Sequence, residues 1–245
     1  MKNHSLLALL VLLLTCSISR AQNNQTFNYQ GFVFQNYTIP TSGYYLLSAK
    51  GGEGGSNNGY AGGKGASMSC YYFFNAGTQL RITVAGAGES VTGSENGAGG
   101  GGSSTVVITD GGSSYTPVII AGGGGGAGNG LGGDDGQIIP SGTAGKYDDG
   151  STANSGGISG GGGATNTSYD GGGGAGFNTD GGTSYKSSTV NAWGGQAYLS
   201  GNYGGGGHPG GDGGWGGGGE GGKYNFVLDS KRIPGTCNYL SLIHI

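Results

Sequence analysis

Histidine, cysteine and proline are nearly absent from this chain and charge is sparse: of 245 residues three are His, three Cys and five Pro, and 9% are charged. Each shortage removes a class of function. His4 lies in the leader, His208 in a Gly-His-Pro-Gly loop and His244 at the very end, so a hydrolase triad or a histidine metal centre has nothing to draw on. Cys16 also falls in the leader, and Cys70 with Cys237 cannot make a disulfide-held scaffold. Lys and Arg number ten, scattered and never in Arg-Gly-Gly repeats, which gives phosphate neutralisation of nucleic acid no basis. No apolar run reaches the ~20 residues of a transmembrane helix.

Short chemical motifs fare no better. Gly62-Gly63-Lys64-Gly65 looks like part of a phosphate-binding loop, but Asn58 stands where that loop needs Gly, and Gly65 where it needs Ser or Thr for magnesium. The acids of Gly132-Gly133-Asp134-Asp135-Gly136 and Gly211-Asp212-Gly213-Gly214 do not recur every nine residues, as a calcium-binding β-roll requires. Most Asp residues stand beside Gly, Ser or Asn, where they bend the backbone. The expectation is a protein that is not an enzyme and uses no cofactor or metal.

What is present begins with an address. Lys2, the apolar stretch 6–14 and Ser19-Arg20-Ala21 form the basic, apolar and cleavage regions of a secretory signal over residues 1–21. Removing it takes away two basic residues and no acid, so the net charge of −3 becomes more negative. Leu13-Leu14-Thr15-Cys16 fits a lipoprotein box poorly because Thr precedes the Cys. The mature chain is expected to be secreted, extracellular or at the cell surface. Residues 240–245, Leu-Ser-Leu-Ile-His-Ile, follow the upstream sequence abruptly and read as a translated sequencing-adapter tail; the natural protein is expected to continue past about position 235.

Glycine supplies 65 residues, and its density rises sharply at position 51. Apolar and aromatic runs at 32–39, 44–50, 66–74, 80–84, 105–108, 118–120 and 224–228 read as short strands, with turns at Thr41-Ser42-Gly43, Asn75-Ala76-Gly77 and Asp110-Gly111-Gly112. The first two runs should form a hairpin around 41–43. Leu80, Ile82 and Val84 share one strand face, as do Ala66, Met68, Cys70, Tyr72 and Phe74, with Ser67 and Ser69 opposite. Cys70 is expected to be a buried free thiol. From 122 the strand signal fades until 224. The glycine runs there lack the strict third-residue period and the proline of collagen. Composition alone would allow a disordered tract. The opposing reading is extended threefold helices of polyproline-II shape, whose bare backbones pack closely and pair their N–H and C=O groups in several directions.

The order of these pieces carries a resemblance. It comprises Tyr37-Thr38-Ile39-Pro40-Thr41-Ser42-Gly43-Tyr44-Tyr45, Ala49-Lys50-Gly51-Gly52-Glu53-Gly54-Gly55, Gly62-Gly63-Lys64-Gly65-Ala66, Phe74-Asn75-Ala76-Gly77-Thr78-Gln79-Leu80 and the Ile82-Thr83-Val84 strand. Further on stand Thr105-Val106-Val107, Val118-Ile119-Ile120-Ala121-Gly122-Gly123-Gly124-Gly125 and Trp215-Gly216-Gly217-Gly218-Gly219. Over residues 30–224 the chain resembles the glycine-rich extracellular domain of the anaplastic lymphoma kinase and leukocyte tyrosine kinase receptors. The resemblance implies an all-β fold, a tumour-necrosis-factor-like β-sandwich interwoven with a bundle of polyglycine helices, acting in extracellular ligand recognition. The chain lacks the receptors' several domain cysteines and shows no kinase motif, so signalling is not carried over.

The expected organisation is a β-rich part with glycine loops over 22–121, a glycine-rich helix bundle over 122–223 in the same domain, and a closing strand over 224–239. Aromatics spaced through the second half would cover the bundle or form a contact surface, for which Trp193 and Trp215 are the candidates. Asn24, Asn36 and Asn166 match the N-glycosylation acceptor, relevant in a eukaryotic host. The expected function is a secreted or cell-surface recognition or adhesion module taking an extracellular protein or carbohydrate ligand. The alternative is a structural glycine-rich matrix protein that self-associates or stays disordered.

Overall fold

The computed structural model describes residues 24–31, 33–92, 97–128 and 130–138, shorter stretches at 142–144, 155–158, 177–182, 184–187, 190–192 and 196–198, and the single residues 162, 175 and 200. The leader, Asn166, Trp193, Trp215, the strand expected over 224–239 and the tail 240–245 lie outside the described residues.

The described part is all-β. Its strands are β1 (Gln35–Thr38), β2 (Gly43–Lys50), β3 (Ser67–Phe74), β4 (Gln79–Thr83), β5 (Ser104–Thr109), β6 (Tyr115–Ala121), β7 (Ser184–Ser187) and β8 (Val190–Ala192). One antiparallel sheet runs β1-β4-β5-β6, a second pairs β2 with β3, and a short ribbon pairs β7 with β8. β2 and β3 contact β6, and β2 also contacts β5, so the second sheet lies against the first. No helix of these residues is long and apolar enough to cross a membrane.

Alternation sets the core. Leu47 and Ala49 of β2, Phe74 of β3, Leu80 and Ile82 of β4, Val106 of β5 and Val118, Ile119 and Ala121 of β6 form one buried cluster with Ile39. Met68, Cys70 and Tyr72 pack against it from the same face of β3 as Phe74, as the spacing predicts. Cys70 is in no disulfide and is only half-buried.

The hairpin expected around 41–43 does not form. β1 pairs with β4 and β2 with β3, so the chain crosses from one sheet to the other at Pro40. The Ile39 N–H donates to the Thr78 carbonyl and the Ile39 carbonyl accepts from Gly77, which carries the β1–β4 pairing one residue further. Pro40 then has no N–H to continue it. A hairpin does form at β5–β6, closed at Asp110-Gly111-Gly112: Gly111 has φ of +82°, and the Gly112 N–H donates to Asp110 Oδ1 at 2.8 Å. The β7–β8 ribbon falls where the sequence shows little strand signal.

Between the strands, glycine-rich segments at 51–57, 60–66, 85–91, 97–103, 122–128 and 131–137 run side by side and cross-link through their backbones. Gly51 and Gly54 donate to Ala66 and Gly63. Gly52 and Gly55 donate to Gly102 and Gly99, and Gly88 and Val91 to Glu53 and Ser56. Each partner recurs every third residue, so one segment serves several neighbours in turn. This lattice begins at Gly51, so strands and glycine segments alternate along the described chain from there.

Close approach makes glycine obligatory here. A Cβ on Gly54 would overlap the Gly125 carbonyl oxygen, and one on Gly63 that of Asp134. Of the side chains these segments carry, Glu53, Ser56, Ala61 and Lys64 are exposed, whereas Asn57, Ala66, Ala98 and Ala127 are buried.

Candidate interaction surface

The outer face of β2–β3 breaks the polar rule for a solvent-facing surface. The antiparallel register sets Tyr44 opposite Phe73, Leu46 opposite Tyr71 and Ser48 opposite Ser69. Tyr71 is 70% exposed, Tyr44 59%, Phe73 48% and Leu46 37%. The Tyr44 and Phe73 rings meet edge to face with centroids 5.2 Å apart, so they form an uneven ridge and not a flat stacking platform. Further along the same face, Ser48 and Ser69 bond to each other through Oγ at 2.8 Å, using hydrogen-bonding capacity that a polar ligand would need. At 150–250 Å² per aromatic side chain, the exposed parts amount to roughly 400 Å² of contiguous apolar surface, within the range of patches that are often functional.

Sequence reasoning missed this surface. Ser67 and Ser69 define the side of β3 opposite the core, and extending that alternation two and four residues on puts Tyr71 and Phe73 on it.

The outer face of the larger sheet is different. Arg81 of β4, partnered in register by Asn36 of β1 and Val107 of β5, is surrounded by rings. Its guanidinium carbon lies 5.0 Å from the Phe34 centroid and 4.5 Å from that of Tyr115, and its Nη1 donates to the Tyr115 hydroxyl at 2.5 Å. Tyr198 packs edge to face on Phe34 and on Tyr115 and stacks on Phe177. Tyr198, Thr83 and Val107 are buried, so residues from the second half of the chain close this face. Burial pushes the Tyr198 hydroxyl well above the usual tyrosine range, and the nearby Arg81 charge only partly opposes it.

Of the other expected sites, Asn24 is exposed, and Asn36 and Thr38 of its acceptor motif are exposed on the edge strand β1. Trp193, Trp215 and Asn166 lie outside the described residues. Among the described residues no group of three or more His, Cys, Asp or Glu side chains could hold a metal ion. The Lys64 backbone N–H donates to Asp135 Oδ1 at 2.6 Å, a backbone-supporting role for that acid.

No family model and no curated protein matches the chain. The β2–β3 ridge brings together four of the exposed large hydrophobic side chains of the described surface.

Proposed function

We propose that this chain is a secreted or cell-surface recognition and adhesion module without catalytic activity, and that it takes an extracellular protein ligand on the outer face of β2–β3. The observation that carries the reading is the exposed ridge of Tyr44, Leu46, Tyr71 and Phe73. Tyrosine and phenylalanine are enriched at protein interfaces, and tyrosine is among the residues that most often anchor them. A ridge of roughly 400 Å² is about half of one side of a standard interface, enough for its apolar centre. Its rings are not coplanar and its serines already bond to each other, which favours a protein over a sugar on this face.

The finer architecture belongs to the same proposal: a tumour-necrosis-factor-like β-sandwich interwoven with polyglycine helices of polyproline-II shape. The third-residue recurrence of backbone partners among the glycine segments supports it, since a helix with three residues per turn presents the same side every third residue. Export rests on the signal-like first 21 residues. The resemblance to the glycine-rich receptor domains points to the same class of function.

The test is to immobilise the mature chain and present it with a panel of extracellular proteins and a glycan array, alongside the Tyr71→Ser/Phe73→Ser variant. At least one protein should be retained by the wild type and weakened about tenfold or more by the variant. Retention of glycans alone, or binding that the variant leaves unchanged, would overturn the assignment.

A further inference from the structure

β1 begins where the chain reads Phe34-Gln35-Asn36-Tyr37-Thr38. Side chains two residues apart on an extended strand share a face, and burial follows that rule: Phe34, Asn36 and Thr38 are exposed, while Gln35 and Tyr37 are half-buried. Contacts fix which face the exposed set occupies. Asn36 is partnered in register by Arg81, and the Arg81 guanidinium carbon lies 5.0 Å from the centre of the Phe34 ring. Phe34 and Asn36 therefore flank the same arginine on the outer face of the larger sheet. Tyr37 turns the other way, packing against the core and edge to face on Phe27 with ring centroids 5.8 Å apart.

Asn36, Tyr37 and Thr38 spell an N-glycan acceptor, in which the hydroxyl two residues after the Asn is part of what the transferring enzyme reads. Two observations set it apart from the acceptors at Asn24 and Asn166. The Asn36 carboxamide and the Thr38 hydroxyl are exposed on one side of a strand, and neither group makes a hydrogen bond to another described residue. Phe34, at 36% exposure, stands two residues before Asn36, about 7 Å away along the chain. The first sugar of an N-glycan, N-acetylglucosamine, has a ring face of C–H groups, and an aromatic ring beside the attachment point gives that face an apolar surface to cover. Asn24 has Gln22 in the corresponding place, and Asn166 has Ala164.

We infer that Asn36 carries an N-glycan whose first N-acetylglucosamine packs on Phe34 and thereby stabilises the sheet it covers. In the transfer, Asn36 Nδ2 bonds to the anomeric carbon of an oligosaccharide held on a lipid diphosphate. The bond from that carbon to the diphosphate oxygen breaks, the lipid diphosphate leaves with the electron pair, and one carboxamide proton passes to solvent. The inference rests on the export proposed above and not on the β2–β3 ridge, which belongs to the other sheet.

The experiment produces the chain in cultured insect cells behind its own residues 1–21 and, in parallel, behind a leader of the host. Peptide-N-glycosidase in heavy-oxygen water converts each glycosylated Asn to labelled Asp, which peptide mass spectrometry reads in cells and medium together. The peptide containing Asn36 should carry the label, and Thr38→Val should abolish it. Label behind the host leader only would sink the export reading and leave the acceptor site standing. No label at Asn36 behind either leader would overturn the inference.

Thermal denaturation reads the packing on Phe34. Losing the glycan through Thr38→Val should lower the midpoint by about 2–4 °C, the size expected of one contact between an aromatic ring and an apolar face. Thr38 lies about 13 Å from Phe34 along the strand, so without the glycan the two positions should act independently. In a Phe34→Leu background the same loss should cost less than half as much. Trimming the wild-type glycan to its first sugar should leave the midpoint where it was. An equal drop in both backgrounds, or a drop on trimming, would overturn the packing.

Discussion

Arg81 and Tyr115 meet twice: Nη1 donates a 2.5 Å hydrogen bond to the tyrosine hydroxyl, and the guanidinium carbon lies 4.5 Å from the centre of the same ring. β4 and β6 are not neighbours, since β5 separates them. The arginine therefore reaches over Val107, its register partner, which helps to explain why this outward-facing valine is fully buried.

Removing half of that contact should be measurable. Tyr115→Phe keeps the ring under the cation and deletes the acceptor, with an expected loss of about 2 kcal/mol. Thermal denaturation should show a midpoint lower by about 5 °C. An unchanged midpoint would mean that water replaces the hydroxyl at no cost.

The glycine lattice makes a sharper demand. Gly54→Ala drives a Cβ into the Gly125 carbonyl and should cost at least about 1–3 kcal/mol. Gly43→Ala meets nothing within 4 Å and has no positive φ, so it should stay within about 0.5 kcal/mol of the wild type. Hydrogen exchange provides the second readout: the amides of Gly52, Gly55, Gly63 and Gly124 should exchange slowly in the wild type and faster in Gly54→Ala.

Tyr198 links stability to alkaline pH. Its folded pKa is raised, chiefly by burial, so the folded state holds the phenolic proton more tightly than the unfolded chain does. The associated stability is complete below the ordinary tyrosine pKa of about 10 and is lost as pH rises above it. The hydroxyl lies close to Arg81 and Thr83 but outside hydrogen-bonding geometry with either. Tyr198→Phe should therefore be tolerated near neutral pH and should flatten the alkaline decline, as followed by urea denaturation between pH 8 and 11.

Two aromatic substitutions on adjacent residues of β3 should separate packing from recognition. Phe73→Ser removes a half-exposed ring and should change stability by less than about 1 kcal/mol. Phe74→Ala empties a position that is 1% exposed in the core and should cost about 3–5 kcal/mol. Only the first should weaken ligand retention without lowering the melting temperature substantially.

Much of the β-rich part was legible because its signals are local. The alternation of Leu80, Ile82 and Val84, and of Met68, Cys70, Tyr72 and Phe74, named the inward faces, and Gly77 and Gly111 take the positive φ their turns require. Pairing was not legible in the same way. Thr41-Ser42-Gly43 looks like a hairpin turn, but whether it joins partners in one sheet or carries the chain between two depends on what lies beside β1, and that is β4, some forty residues on. The candidate site was half legible: the spacing places Tyr71 and Phe73 outward, while Trp193 and Trp215, chosen for their chemistry alone, have no described environment.

By itself, the sequence determined which strand faces turn inward, where the chain bends, and that long stretches have no side chains with which to build a core. Tertiary structure alone decided which strands pair, that Arg81 is enclosed by Phe34, Tyr115 and Tyr198, and that the β2–β3 ridge stays uncovered. It also decided which glycine segment lies beside which. The reason is physical: a strand advertises its buried face through side-chain alternation, whereas an oligoglycine segment carries only N–H and C=O groups, identical along its length. Its neighbours are selected when the strands at its ends fix where it runs and every third amide meets a carbonyl.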